Sequence, residues 1–154
     1  QWFQWIEKHE EAGTLPGILG ELGSTALSVM KIVGFQNTGA VDDSWIRAYS
    51  APFPDRESCV GAIEFPLDVH YARFQEYVIE GLKTGHVDAV KQKPAALVYG
   101  MEDRAIAPEW AMEDFRRLFP ASPIVELPGV GHFCQEDAPE TLVAMIMQFM
   151  GANP

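Results

Sequence analysis

Positive charge is scarce in this chain: 11 lysines and arginines stand against 22 aspartates and glutamates, a formal net charge of -11. A field of that sign repels nucleic-acid phosphates and anionic lipid headgroups alike, so neither nucleic acid nor a membrane is an expected partner. Cysteine is scarcer still. Cys59 and Cys134 lie far apart in unlike surroundings and neither belongs to a C-x-x-C pair, which points to free thiols in a reducing cytoplasm rather than a disulfide. The four histidines, His9, His70, His86 and His132, lack zinc-type spacing, and no metal or cofactor is expected. No apolar run approaches the length of a membrane span, and the opening QWFQWIEKHE lacks the basic start and small-residue cleavage site of a secretion signal. The first residue is not methionine, as expected of a trimmed or cut start.

What is present suffices for a packed core. The chain has 154 residues, 47% hydrophobic and 11% aromatic, about the size of one ordinary domain. Its character changes near residue 90. Earlier segments carry helical periodicity broken by glycine and proline. In DDSWIRAYSAPFPD, Asp43 or Ser44 is an expected N-cap, and Pro52 and Pro54 end the helix by removing donors. Residues 67–83 place Val69, Phe74 and Leu82 at helical spacing, which predicts one helix with a packed apolar face. Trp2, Phe3 and Trp5 read as core or interface aromatics of an N-terminal helix.

After residue 90 the pattern is strand, helix, strand, helix. The run near 94–99, PAALVYG, suits a strand buried on both faces of a parallel sheet, and a second strand is expected near 123–128. Between them APEWAMEDFRRLFP is amphipathic. After them APETLVAMIMQFMG puts Leu142, Ile146 and Phe149 on one face, with Gly151 as the expected terminal cap. The expected organisation is a helical region over 1–66 and an α/β portion over 67–154.

In an open parallel sheet, chemistry collects at the carboxyl ends of the strands. Two polar clusters fall there: MEDR after the first strand and VGHF after the second. Adjacent parallel strands would bring Asp103 and His132 to one rim. A carboxylate accepting from one imidazole nitrogen fixes the tautomer and leaves the other nitrogen as a general base. Taken singly, the histidine reads as a surface loop residue and the aspartate as a helix N-cap, and Glu102 competes for the acid role. Cys134 reads as a packing residue, and Glu136 and Asp137 as first-turn acids of the following helix.

The stretch from PAALVYGMEDRAIAPEW through FRRLFPASPIVELPGVGHFCQEDAPETLVAMIMQFM resembles the C-terminal part of an α/β-hydrolase, most closely a haloalkane dehalogenase. The resemblance implies that Asp103, within Gly-x-x-Asp, is the catalytic acid and that His132, within Gly-x-Gly-His-Phe, is the base. AYSAPFPDRESCVGAIEFP resembles the segment leading out of the dehalogenase cap, which makes Phe53 and the adjacent prolines, Pro54 among them, candidate pocket residues; Phe133, beside the base, is a further candidate. The resemblance makes Trp5 a candidate halide-binding indole, and a small apolar or halogenated molecule the expected ligand. The implied fold is a partial α/β-hydrolase: a cap-like helical region followed by a βαβα unit with parallel strands.

One element of that family is missing. Its nucleophile precedes acid and base on a strand, sharp turn and helix, and residues 1–102 hold no such elbow. GELGSTALS around Ser24 is the nearest approach, without a preceding strand. Three readings follow: a truncated dehalogenase-like hydrolase inactive alone, one part of a dehalogenase, epoxide or ester hydrolase completed by another chain, or a binding module without catalysis. Two strands alone leave an open apolar edge, so self-association through that edge or through the cap helices is expected.

Overall fold

The computed structural model describes residues 2–20, 29–30 and 32–154. Helix α1 spans Trp2–Glu11 and α2 spans Leu15–Gly20. α1 ends in a Schellman turn: Gly13, at φ 67, donates to the Glu10 carbonyl at 2.9 Å, and Thr14 donates to that of His9 at 2.9 Å. α3 covers Asp43–Ser50, α4 Val60–His70, α5 Gln75–Leu82 and α6 His86–Lys91. Then come β1 (Leu97–Gly100), α7 (Pro108–Leu118), β2 (Ile124–Leu127), the single turn α8 (Cys134–Asp137) and α9 (Pro139–Ala152). The segment GELGSTALS with Ser24 lies largely outside the described residues.

β1 and β2 pair in parallel with Leu97 opposite Ile124 and Gly100 opposite Leu127, α7 forming the crossover. This is the expected βαβα unit. The strands are half-buried rather than covered on both faces, because the sheet has only two strands among the described residues. A trough of about 330 Å³ stays open beside them, lined by Val98, Val125, Ile146 and Phe149 among others. The α9 face that carries Leu142, Ile146 and Phe149 is only partly covered. Gly151 lies inside α9 and Asn153 takes the cap position, donating from its backbone to Met150.

The principal core lies among the helices. Trp2, Ile6, Leu15, Leu19, Val33 and Leu67 form one buried cluster in which α1, α2 and α4 meet. Trp2 and Ile6 are four apart on α1 and so share a face. Ala105 and Phe133, from the loops after β1 and β2, pack against this cluster and join the helical side to the sheet side. A smaller set, Met112, Leu127 and Val130, is buried beside the strands.

Two local expectations are corrected. The N-cap of α3 is Asp42, one residue before those proposed: its Oδ1 accepts the Trp45 N–H at 2.8 Å. Residues 67–83 do not form one helix. α4 stops at His70 in a second Schellman turn, where Ala72 donates to Val69 and Arg73 to Asp68. Arg73 then folds back to pair with Glu64 and Asp68, each at 2.9 Å. The left-handed position in this turn is held by Ala72, at φ 52, where glycine is usual, so the sequence carries no glycine to mark it. Beyond the break α5 buries nothing, and Tyr77 is 84% exposed.

A Cβ in the left-handed region costs roughly 1 kcal/mol, partly offset by the greater unfolded-state freedom of glycine. Ala72→Gly is therefore expected to stabilise the chain, by a few tenths to about 1 kcal/mol. Thermal denaturation measures it, and a fall in Tm would contradict the turn.

Candidate active site

The rim is assembled by backbone contacts before any side chain acts. Beyond Gly100, Met101 donates to Leu127 at 3.1 Å and Glu102 to Val130 at 2.8 Å, stitching the acid loop to the histidine loop. Arg104 donates to the Val33 carbonyl at 3.2 Å, tying the acid loop to the helical side. Three glycines permit this approach. A Cβ on Gly100 would lie 2.6 Å from the Val130 carbonyl oxygen. A Cβ on Gly131 would run into the Gly34 carbonyl, and one on Gly34, itself at φ 106, would come within 2.9 Å of the Glu102 carbonyl.

On this frame Asp103 and His132 meet, 29 positions apart in sequence: Nδ1 of the imidazole lies 2.9 Å from Oδ2 of the carboxylate. The Asp103 side chain is 3% exposed and that of His132 33%. Asp103 accepts four hydrogen bonds. Oδ1 takes the backbone N–H of Ala105 at 2.7 Å and of Ile106 at 3.0 Å, while Oδ2 takes the Tyr99 hydroxyl at 2.8 Å besides the imidazole. Burial pushes its carboxyl up, but the bonds from His132, Ile106 and Tyr99 outweigh burial and hold it below the ordinary carboxylate value. Asp103 is not the N-cap of the next helix, since Ala107 holds that position with no side-chain bond. Glu102 is exposed and makes no side-chain hydrogen bond to the described residues.

In the neutral imidazole Nδ1 carries the proton that bonds an ionised Asp103, and Nε2 is then an acceptor without a partner among the described residues. His132 lines an apolar hollow of about 250 Å³ together with Trp2, Phe3, Val33, Ile106 and Phe133. The Phe133 ring stands edge-on to the imidazole, centroids 5.1 Å apart. A neighbouring hollow of about 250 Å³ is lined by Phe53, Met30 and Tyr49 and shares Phe65, Pro66 and Phe133 with the first. Phe53 and Phe133 thus lie on these hollows. Pro54 is exposed and lines neither, and Trp5 packs on Trp2 and His9 instead, with centroids 5.6 Å and 4.4 Å apart. The α1 aromatics that share the hollow with His132 are Trp2 and Phe3. Cys134 donates weakly to the Gly131 carbonyl at 3.6 Å, and burial pushes its thiol up, the opposite of an activated nucleophile. No group of three His, Cys, Asp or Glu side chains suited to a metal ion occurs among the described residues.

Glu136 and Asp137 do more than sit in the first turn of α8. Asp137 Oδ1 accepts the backbone N–H of Gln36 at 2.9 Å and of Asn37 at 2.8 Å, and its Oδ2 accepts that of Gly131 at 2.7 Å. Glu136 accepts the Trp45 indole N–H at 2.9 Å and the Tyr49 hydroxyl, so both of its oxygens face α3. Hydrogen bonding to Glu136 and partial burial push the Tyr49 phenol up to about 12. The one hint in the sequence is position: two acids directly follow the histidine motif.

The chain is a partial α/β-hydrolase fold, and a dehalogenase-like one. A loop variant of a haloalkane dehalogenase from Bradyrhizobium elkanii superimposes with a TM-score of 0.67 at 22% identity, covering 97% of this chain and 50% of that one. In sequence, the chain is 32% identical over 103 residues to the proteins named haloalkane dehalogenase 2 from Mycobacterium bovis and Mycobacterium tuberculosis. That match takes in 67% of this chain and 35% of the relative, so most of the relative's length lies outside the match. No protein-family model matches it.

Asp137→Ala would leave three backbone donors without their shared acceptor, at a cost of about 2–4 kcal/mol. Urea denaturation measures the loss. A change below about 1 kcal/mol would mean that water replaces the carboxylate at all three sites.

Proposed function

We propose that the chain carries the acid and base of a dehalogenase-like hydrolase, with His132 as base and Asp103 as the acid that orients it, and lacks a nucleophile of its own. The observation that carries the reading is the 2.9 Å contact between a buried carboxylate and an imidazole that opens on an apolar hollow, at the ends of two parallel strands. In the complete reaction a carboxylate nucleophile displaces halide from carbon and forms an alkyl ester. His132 Nε2 takes a proton from water, the resulting hydroxide attacks the ester carbonyl, and alcohol leaves. The imidazolium formed at that moment is stabilised by the adjacent Asp103 carboxylate.

The hollow suits a small apolar or halogenated molecule, because its walls are aromatic and aliphatic apart from His132. Residues 1–66 act as the cap over it; Phe65 and Phe133 shape its selectivity, and Phe53 lines the neighbouring hollow. The dehalogenase relatives favour halide displacement over epoxide or ester hydrolysis.

A second arrangement is favoured by the half-covered strands. The trough beside β1 and β2, which Ile146 and Phe149 of α9 help to line, is the face where more of the fold would add. The missing strands and nucleophile come from another segment or chain. In their absence a second copy covers the same face.

Halide release from a brominated alkane tests the proposal. The purified chain alone is expected to release none above background. Adding the N-terminal, nucleophile-bearing segment of a haloalkane dehalogenase is expected to restore release with the wild-type chain and not with His132→Ala. Release by the chain alone would show that it holds its own nucleophile, and release that survives His132→Ala would remove the base assignment.

A further inference from the structure

Oδ2 of Asp103 is shared. It receives the His132 Nδ1–H at 2.9 Å and the Tyr99 hydroxyl at 2.8 Å, while Oδ1 is saturated by two backbone donors. The Tyr99 hydroxyl has one proton and two acceptors in reach, since its oxygen also lies 3.2 Å from the Ile106 carbonyl. The ionised carboxylate is both the nearer and the stronger acceptor, so the proton goes to Asp103. If it pointed to Ile106 instead, two oxygens bearing lone pairs would face each other at 2.8 Å. Tyr99 sits on β1, four residues before the acid, and its paired strand fixes the direction from which the hydroxyl arrives.

We propose that Tyr99 is a positioning residue for this pair: its hydroxyl holds Asp103 Oδ2 and takes up part of its hydrogen-bonding capacity, setting how strongly the carboxylate grips the imidazole. The inference rests on the acid and base reading above. A carboxylate oxygen that accepts from two donors binds each less strongly than it would bind one. Tyr99 thereby restrains Asp103 from drawing the Nδ1 proton toward itself and keeps His132 aligned for proton transfer at Nε2. The burial of this hydroxyl against Asp103 also pushes its own ionisation well above the usual phenol range, so it remains a donor at all ordinary pH.

The test is the proton resonance of His132 Nδ1–H in the full chain labelled with 15N-histidine, assigned by its loss in Asp103→Asn. Tyr99→Phe keeps the ring and removes only the hydroxyl. The expected result is a downfield movement of that resonance, as Oδ2 turns wholly to the imidazole. An unmoved or upfield resonance would overturn the proposal while leaving the Asp103 and His132 pair standing. A resonance lost in Tyr99→Phe would also overturn it, because the hydroxyl would then only hold the carboxylate in place. Absence of any Asp103-dependent resonance in the wild-type chain would remove the pair itself, and the proposal with it.

Discussion

The distance at which three backbone segments can approach one another governs the rest of this structure. Gly34, Gly100 and Gly131 stand where the helical side, the acid loop and the histidine loop converge, and a methyl group on any of them would collide with a carbonyl of the next. Because no side chain intervenes, the two loops after β1 and β2 can exchange backbone hydrogen bonds and bring Asp103 and His132 to bonding distance. Overpacking at such a contact forces the backbone apart, since close-packed regions shift rather than compress. The contact of Asp103 with His132 is thus a consequence of close backbone packing, and the side chains complete what it allows.

A second layer of constraint comes from carboxylates that bond uncharged donors rather than opposite charges. Asp137 gathers N–H groups from two segments about a hundred residues apart, while Glu136 meets Trp45 and Tyr49 of α3. Together they fasten the histidine loop to the helical side, which forms the walls of the apolar hollows. A substitution in α3 can therefore reach His132 through Glu136 and Asp137, without touching the pocket. The sheet side is less complete: β1 and β2 are half-buried and α9 presents an apolar face, as suits a chain half the length of its structural relative.

The meeting of Asp103 and His132 is legible in the sequence because its signals are local. Gly-x-x-Asp and Gly-x-Gly-His follow consecutive apolar runs, and parallel pairing of those runs brings the two motifs together. Tyr99 escaped notice because a tyrosine in a strand reads as β-propensity, and only register shows its hydroxyl meeting Asp103. The break at Ala72 escaped for the converse reason: the turn is glycine-like in conformation but not in sequence. The double role of Asp137 depends on contacts across the whole chain, which no local pattern records. The pocket aromatics were only half legible, since periodicity groups Trp2, Phe3 and Trp5 on α1 without saying which of them face His132.

The central claim is that Asp103 is an ionised, multiply bonded acid whose interactions outweigh its burial. A carboxyl held below its ordinary value contributes stability that is fully present above the unfolded value and is lost as pH falls through the folded one. The direct measurement is a 13C NMR titration of the Asp103 carboxyl in the full chain. A midpoint below the ordinary value of 3.8 is predicted. A midpoint at or above it would mean that burial prevails and that the carboxylate does not hold His132 as described.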